Sequence, residues 1–374
     1  MQQLAQQIAS LPTPALLLDE ARMMRNIARL EAHAAALGVA LRPHLKTAKS
    51  VDVARQLNGG VAPPVTVSTL AEAEVFWDAG FRDILYAVGI APQKLARVQA
   101  LRRAGCDLVV VLDSLAQAGA VAAAGVPALI EIDSDGHRSG LAPDDPQVVA
   151  AGRVLHAAGC LRGVMTHAGE SYHAVGHAAQ AAFADRERGA AVAAAGALRA
   201  AGLDCAVVSV GSSPTAHAAG NMDGVTEVRA GVHMFFDLVM AGIGVCTLDD
   251  LALSVLTTVI GHQKAKGWII TDAGWTALSR DRGTAGQAVD QGFGLVCDLD
   301  GVPLADLIVS SANQEHGILT LRPGSPAALP DLPVGTLLRV LPNHACATAA
   351  QHGHYNVIPV AGGTLGTWPR FGGW

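Results

Sequence analysis

Lys46, Arg138, His167, Arg229, His344 and Cys346 carry most of the chemistry that this chain can be read for. Lys46 lies in Arg42-Pro43-His44-Leu45-Lys46-Thr47-Ala48-Lys49, just after the apolar run Val39-Ala40-Leu41. A lysine where a strand meets a loop can lose part of its hydration. That lowers its pKa and frees the amine as a nucleophile or base. Most lysines at strand ends are simply solvated, so the company Lys46 keeps decides the reading. Gly211-Ser212-Ser213-Pro214-Thr215 offers small residues, backbone N–H groups and hydroxyls, which suit a phosphate; it reads equally well as a helix start. Gly231, in Arg229-Ala230-Gly231, lets a second backbone segment approach the same anion. His344 and Cys346 stand at i and i+2. On a strand both would point to one side, and imidazole with thiolate suits zinc and related transition metals. A surface histidine beside a core cysteine is the plainer reading of that pair. Asp272-Ala273-Gly274-Trp275, Ser279-Arg280-Asp281-Arg282 and Gln314-Glu315-His316-Gly317 are further polar groups, for which ion pairs and turns are an ordinary explanation.

These residues need elements to place them. Residues 14–19 read as a strand, and 20–37 as a helix with apolar positions Met24, Ile27, Leu30, Ala34 and Leu37 and a cap at Gly38. Strand-like runs follow at 40–46, 65–70, 83–89, 107–113, 127–133, 161–167, 204–210 and 226–232. They are rich in Val, Ile and Leu and apolar throughout, as parallel strands buried on both faces are. Ala-rich helical segments separate them, at 71–79, 92–104, 147–158 and 178–202 among others. The alternation predicts an α/β fold, a (β/α)8 TIM-type barrel. A doubly wound sheet competes, but it wants a G-x-G-x-x-G loop that this chain lacks. After residue 245 short β-like runs take over, at 253–261, 267–271, 293–298, 305–310, 317–321, 336–340 and 355–360. The expected division is a barrel over 1–247 and a mostly β domain over 248–374, with the first ~12 residues as candidates for packing on the β domain. In such a barrel chemistry collects at the C-terminal ends of the strands. Lys46, Ser68, Thr69, Asp133, Arg138, His167, Ser212, Ser213, Arg229 and Gly231 all fall at or near such ends.

The 374 residues are 51% hydrophobic, 4% aromatic and 16% charged, which predicts an aliphatic core with closely packed helices. A formal net charge of −6 and the lack of a long basic run argue against nucleic acid as a partner. The six scattered cysteines read as reduced and buried, as in a cytoplasmic protein. The start, Met1-Gln2-Gln3-Leu4, does not resemble a signal peptide. No apolar run approaches the ~18–20 residues of a membrane span, so no membrane partner is expected.

Together the motifs resemble the fold-type III pyridoxal-phosphate enzymes, the alanine-racemase-like barrels with a C-terminal β domain. Within them the chain is similar to the family of D-serine dehydratase, D-threo-3-hydroxyaspartate dehydratase and D-threonine aldolase. In that family the lysine of an Arg-Pro-His-x-Lys-Thr motif forms a Schiff base with pyridoxal 5'-phosphate. The matching Arg42-Pro43-His44-Leu45-Lys46-Thr47 implies Lys46 as that catalytic lysine. The resemblance further implies Arg138 at the cofactor's phenolic oxygen, His167 beside its ring and Tyr172 lining the pocket. Ser212, Ser213 and Thr215 would form the phosphate turn, with backbone donors from Gly231 and Val232. Arg229 stands where alanine racemase has its arginine to the pyridine nitrogen, a point at which dehydratases and aldolases differ from racemases. Pro342-Asn343-His344-Ala345-Cys346 matches the family's metal motif, implying His344 and Cys346 as ligands of a divalent metal, zinc or else manganese, cobalt or nickel. The aldolases carry His-x-Asp there and the dehydratases His-x-Cys, so Cys346 favours dehydration.

The activity implied is a PLP-dependent lyase. Lys46 would remove the α-proton of a β-hydroxy-D-amino acid, D-threo-3-hydroxyaspartate or D-serine, and the metal would assist loss of the hydroxyl, giving a 2-oxo acid and ammonia. The alternatives are an aldolase yielding glycine and an aldehyde, and a non-catalytic carrier of the cofactor. Gln314, His316, Arg280 and Arg282 are candidate partners for a substrate carboxylate. The resemblance implies a homodimer.

Overall fold

The structure, a computed structural model, describes residues 2–374. The chain divides into two compact units, Ala28–Gly231 with Gly372–Trp374, and the residues up to Ile27 with Val232–Phe371.

The first strand, β1 (Ala15–Asp19), belongs to the second unit. The eight that follow build the first unit: β2 (Ala40–Leu41), β3 (Val65–Val67), β4 (Asp83–Gly89), β5 (Asp107–Leu112), β6 (Ala128–Ile132), β7 (Leu161–Thr166), β8 (Val207–Val210) and β9 (Glu227–Val228). Their order is β2-β9-β8-β7-β6-β5-β4-β3, and all neighbours are parallel. The ring closes at His44, whose N–H donates to Ala230 C=O at 2.8 Å while a parallel bridge links it to Thr66. All eight strand-like runs are present. The first and last are only two residues long, though the N–H groups of Arg42 and His44 still donate to Val228 and Ala230 at 2.9 and 2.8 Å. Helices Leu70–Asp78, Leu95–Arg103, Leu115–Ala123, Pro146–Ala157 and His177–Ala200 connect them. Three of the five starts are fixed by caps: Thr69, Ser114 and Asp145 each accept a backbone N–H of the following turn.

The second unit is antiparallel. Its strands are β10 (Leu253–Gln263), β11 (Trp268–Thr271), β12 (Leu295–Cys297), β13 (Pro303–Ala312), β14 (Gly317–Leu321), β15 (Leu337–Leu341), β16 (His354–Ile358) and β17 (Gly366–Pro369). The sheet runs β11-β14-β13-β12-β15-β10-β1-β16-β17, and β11 also pairs with β10, closing a ring of β strands. A bulge between Val259 and Gly261 lets β10 serve β15 and β1 with its first half and β11 with its second. The runs read between 253 and 360 all appear as strands. β17 is not legible in the sequence, since Gly366-Thr367-Trp368-Pro369 has no apolar alternation.

The division falls at 231/232, and residues up to Ile27 lie in the β unit, against the expected boundary at 247/248. β1 pairs antiparallel with β10 and parallel with β16, which takes the start of the chain into that sheet. Leu238 and Val239 donate to the carbonyls of Pro342 and Asn343 at 3.1 and 3.2 Å, tying the segment after 231 to the end of β15. None of the six cysteines is in a disulfide, and all but Cys346 are buried. Among the described residues no helix is long and apolar enough to cross a membrane.

Candidate functional site

Two chemically distinct clusters lie one in each unit. In the barrel, Lys46 sits in the turn that follows β2 and the His44 bridge, and its N–H donates to His44 Nδ1 at 3.4 Å. His167 directly follows β7 and donates from Nδ1 to Gly211 C=O at 3.0 Å, leaving Nε2 with a lone pair. Desolvation first, then the charges of Lys46 and Arg138, push His167 down to about 3. His44 is likewise held well below the usual histidine range by desolvation and by Lys46, Arg229, His167 and Arg138. Each histidine feels the same cations, so this end of the barrel gathers positive charge around two neutral imidazoles.

Arg138 lies in the loop after β6, its side chain half exposed and 3.9 Å from Glu131. Arg229 is buried. Its guanidinium donates to Ser209 Oγ and to the carbonyl of Thr166, the residue before His167. Ser209 in turn donates to Glu227 at 2.6 Å, and Arg42 joins Glu227 at 2.8 Å to Asp83 at 2.7 Å. The hydrogen bonds of Arg229 are thus spent inside the barrel wall. Tyr172 lies in the short helix Gly169–His173, its ring centroid 6.2 Å from that of His167.

Gly211-Ser212-Ser213-Pro214-Thr215 is a helix start: Ser212 caps Ser213–Ala218 in a capping box with Thr215. Both hydroxyls are engaged, Ser212 Oγ with Ser171 Oγ at 2.7 Å and Thr215 Oγ1 with Glu187 at 2.7 Å. Glu187 also accepts the N–H groups of Ala168 and Gly211, each at 2.9 Å. Burial raises its pKa against those hydrogen bonds. Ser213 Oγ is buried and has no partner among the described residues. Gly211 has φ 132°, and a Cβ there would fall on the Arg229 backbone. At Gly231 a Cβ would lie 3.0 Å from His44 O and 3.2 Å from Thr47 Oγ1. Segments 44–47, 211–215 and 229–231 therefore meet at backbone distance. Val232 opens the other unit, as the first residue of the turn Val232–Met234.

In the β unit, His344 and Cys346 are not on a strand. β15 ends at Leu341; His344 is extended, φ −136° and ψ 108°, and caps the helix Ala345–Ala349 that contains Cys346. The change from extended to helical backbone between them still lets the two side chains hydrogen-bond. Asp281 takes the other side of the imidazole, Oδ2 lying 2.6 Å from Nδ1. Asp237 is buried and accepts the N–H groups of Ala345 at 2.9 Å and Met240 at 3.0 Å. Burial opposes a charge on His344, but Cys346, Asp281 and Asp237 outweigh it and raise the imidazole to about 11. Among the described residues no three His, Cys, Asp or Glu side chains form a metal cage. A metal here would have His344 and Cys346 as its protein ligands, with positions left for water or substrate. Arg280 stacks on Trp275 at 5.1 Å, and Gln314 and His316 lie exposed in the turn between β13 and β14.

Residues 18–239 match the alanine racemase N-terminal domain family and residues 252–358 the serine dehydratase domain family. The chain is 55% identical to the D-threo-3-hydroxyaspartate dehydratase of Delftia sp. (strain HT23), over 98% of this chain and 99% of that one. The chain belongs to the D-serine and D-threo-3-hydroxyaspartate dehydratase family. That family is one of PLP-dependent lyases with the alanine-racemase-like fold. The solved structure of the Delftia enzyme superposes with a TM-score of 0.95 at 54% identity, covering 98% of this chain and 100% of that one. Structures of a D-threo-3-hydroxyaspartate dehydratase are also known with a histidine replaced by alanine, and with a cysteine replaced by alanine in the metal-free form, each at 54% identity and a TM-score of 0.95. The D-threonine aldolase of Filomicrobium marinum is more distant, with a TM-score of 0.80 at 27% identity, covering 96% and 95%.

Nothing in the sequence points to Asp237 or Glu187, and His44 is legible only as part of the lysine motif. Asp281 stands in a polar cluster of the sequence, but nothing in its spacing points 63 residues ahead to His344.

Proposed function

We propose that this chain dehydrates a β-hydroxy-D-amino acid, D-threo-3-hydroxyaspartate or D-serine, to a 2-oxo acid and ammonia, using pyridoxal phosphate in the barrel and a divalent metal in the β unit. The observation that carries this is the opposite electrostatic setting of two histidines, His167 among cations and His344 among anions. The first setting suits a ligand bearing phosphate and phenolate, and the second suits a metal cation. When bound, the cofactor supplies an electron sink for charge at Cα and the metal a Lewis acid for the β-hydroxyl.

The residues of the barrel fit the cofactor. The buried Ser213 Oγ, unpartnered among the described residues, supplies a hydroxyl for the phosphate, and the close approach at Gly231 supplies backbone. Arg138 would face the phenolic oxygen, and Ser212, Thr215 and Tyr172 would line the site. Val232 would add a backbone donor. Lys46 Nζ would hold the cofactor and then take the α-proton of the substrate. His167, neutral at ordinary pH, would pack beside the ring without adding a third positive charge to Lys46 and Arg138. The hydrogen-bonded His344–Cys346 pair would hold the metal, the cation taking the place of the proton they now share. A relative of known structure supports this, since its histidine and cysteine substitutions have the same i, i+2 spacing and the cysteine variant was solved in the metal-free form. Zinc is the expected ion for an imidazole–thiolate pair.

Arg280, Gln314 and His316 are proposed to recognise the β-carboxylate of hydroxyaspartate. A homodimer and a cytoplasmic location are proposed as well, on the resemblance and on the free cysteines. A product assay on the loaded enzyme tests the reading, with D-threo-3-hydroxyaspartate, D-serine and D-threonine, with and without a chelator. Chelator-sensitive ammonia and 2-oxo acid are expected; glycine and an aldehyde would establish the aldolase instead.

A further inference from the structure

We propose that Asp281 is a positioning residue for the metal ligand His344, fixing its ring so that Nε2 is the nitrogen offered to the ion. The inference rests on the reading of His344 and Cys346 as metal ligands. A neutral imidazole has one N–H and one lone pair, and the partner of one nitrogen decides which role the other takes. Here Asp281 Oδ2 lies 2.6 Å from Nδ1, so Nδ1 carries the hydrogen and Nε2 is left to the ion. Ligating histidines held in this way by a carboxylate are more basic and lose less freedom on binding.

Asp281 is itself held. Two residues before it stands Ser279, a buried non-glycine residue at φ 74°, an unfavourable backbone conformation that turns the chain into the loop. The Asp281 N–H donates to Ser279 Oγ at 3.2 Å. Asn343, the neighbour of His344, donates from Nδ2 to the Asp281 carbonyl at 3.2 Å and to the Gly292 carbonyl at 2.6 Å, and its Oδ1 accepts from Thr284 Oγ1 at 2.8 Å. Asp237 fixes the other flank through the N–H of Ala345. The loop 279–284 and the segment 343–345 are thus bound to each other by backbone and side chain, and the carboxylate is aimed at the ring by both.

The test is zinc affinity, measured by competition with a chromophoric chelator on the cofactor-loaded protein, in the native chain and in Asp281→Ala and Asp281→Asn. Cofactor content and thermal melting report on the fold. Asp281→Ala is expected to bind zinc about 10–100-fold more weakly with its cofactor content unchanged. Asp281→Asn keeps an acceptor for Nδ1 and should recover part of the loss; it decides the matter if the alanine variant does not fold. Native zinc affinity in a folded Asp281→Ala, or in Asp281→Asn where the alanine variant does not fold, would overturn the inference and leave the metal reading standing. A native chain that takes up no zinc would remove both.

Discussion

The two clusters use the same side chain in opposite ways. In the barrel, desolvation and the charges of Lys46 and Arg138 push His167 down to about 3. In the β unit, anions overcome burial and raise His344 to about 11. Beyond burial, the charged neighbours differ in sign, cations at His167 and anions at His344, which suits the anionic cofactor proposed for the barrel and the metal proposed for the β cluster. They also differ in construction. The barrel draws its groups from the ends of several strands. The β cluster sits at one helix start, steadied by carboxylates 63 and 108 residues away in sequence. If that contrast is functional, each cluster can be damaged without emptying the other.

The largest effect is expected from Lys46→Ala. Loss of the base and of the covalent hold should lower turnover by at least about 10⁴-fold, read as 2-oxo acid and ammonia. Zinc content should be unchanged. Native turnover would sink the assignment of Lys46, and loss of zinc would break the separation of the clusters. His344→Ala is the converse. Removing a Lewis acid should cost about 10²–10³-fold in elimination, with metal content near zero and the cofactor's visible absorbance retained.

What the sequence made legible follows from the same contrast. Parallel strands buried on both faces announce themselves as apolar runs, and the rule that barrel chemistry lies at strand ends then picks out Lys46, Arg138, His167 and Arg229. No such rule reaches the β cluster. His344 and Cys346 were legible as a motif, but the strand geometry expected of them was wrong because the chain turns helical at Ala345. Asp281 was beyond reach because a loop-to-loop hydrogen bond leaves no periodicity. Glu187 was hidden differently: it lies on a long Ala-rich helix, where a glutamate ordinarily faces water, yet it is buried under three donors. The role of Ser212 and Thr215 as caps was one of two readings open for that turn, and a capping box is what the turn forms.

A smaller effect is expected at Gly211, which ties His167 to Glu187 and to the Arg229 backbone. Its N–H goes to Glu187, its carbonyl takes Nδ1 of His167, and its φ of 132° brings it against the Arg229 backbone. Gly211→Ala should destabilise the protein by about 1–3 kcal/mol, through strained φ and a backbone clash with no flexible side chain to yield. Thermal melting would show it, and cofactor affinity should fall while zinc affinity holds. An unshifted melt would mean that the turn relaxes freely.

The finest test is the pH dependence of stability, because the two histidines should give slopes of opposite sign. His167 stays neutral in the folded chain down to about 3, against an ordinary value of 6.5. Below pH 6.5 the unfolded chain takes up a proton that the folded chain refuses, so this contribution is complete above 6.5 and is lost as pH falls toward 3. The slope is at most about 1.4 kcal/mol per pH unit. His167→Asn should therefore flatten the acid limb between pH 6.5 and 5 in urea titrations. His344 runs the other way in metal-free protein. Its folded value is raised to about 11, so its contribution is full below 6.5 and declines as pH rises toward 11. Exposure of the ring to solvent makes that slope the shallower of the two. His344→Ala should flatten the alkaline limb without touching the acid one, and zinc should remove the dependence by replacing the proton. Slopes of the same sign in the two variants would mean that the barrel and the β unit do not differ in local charge.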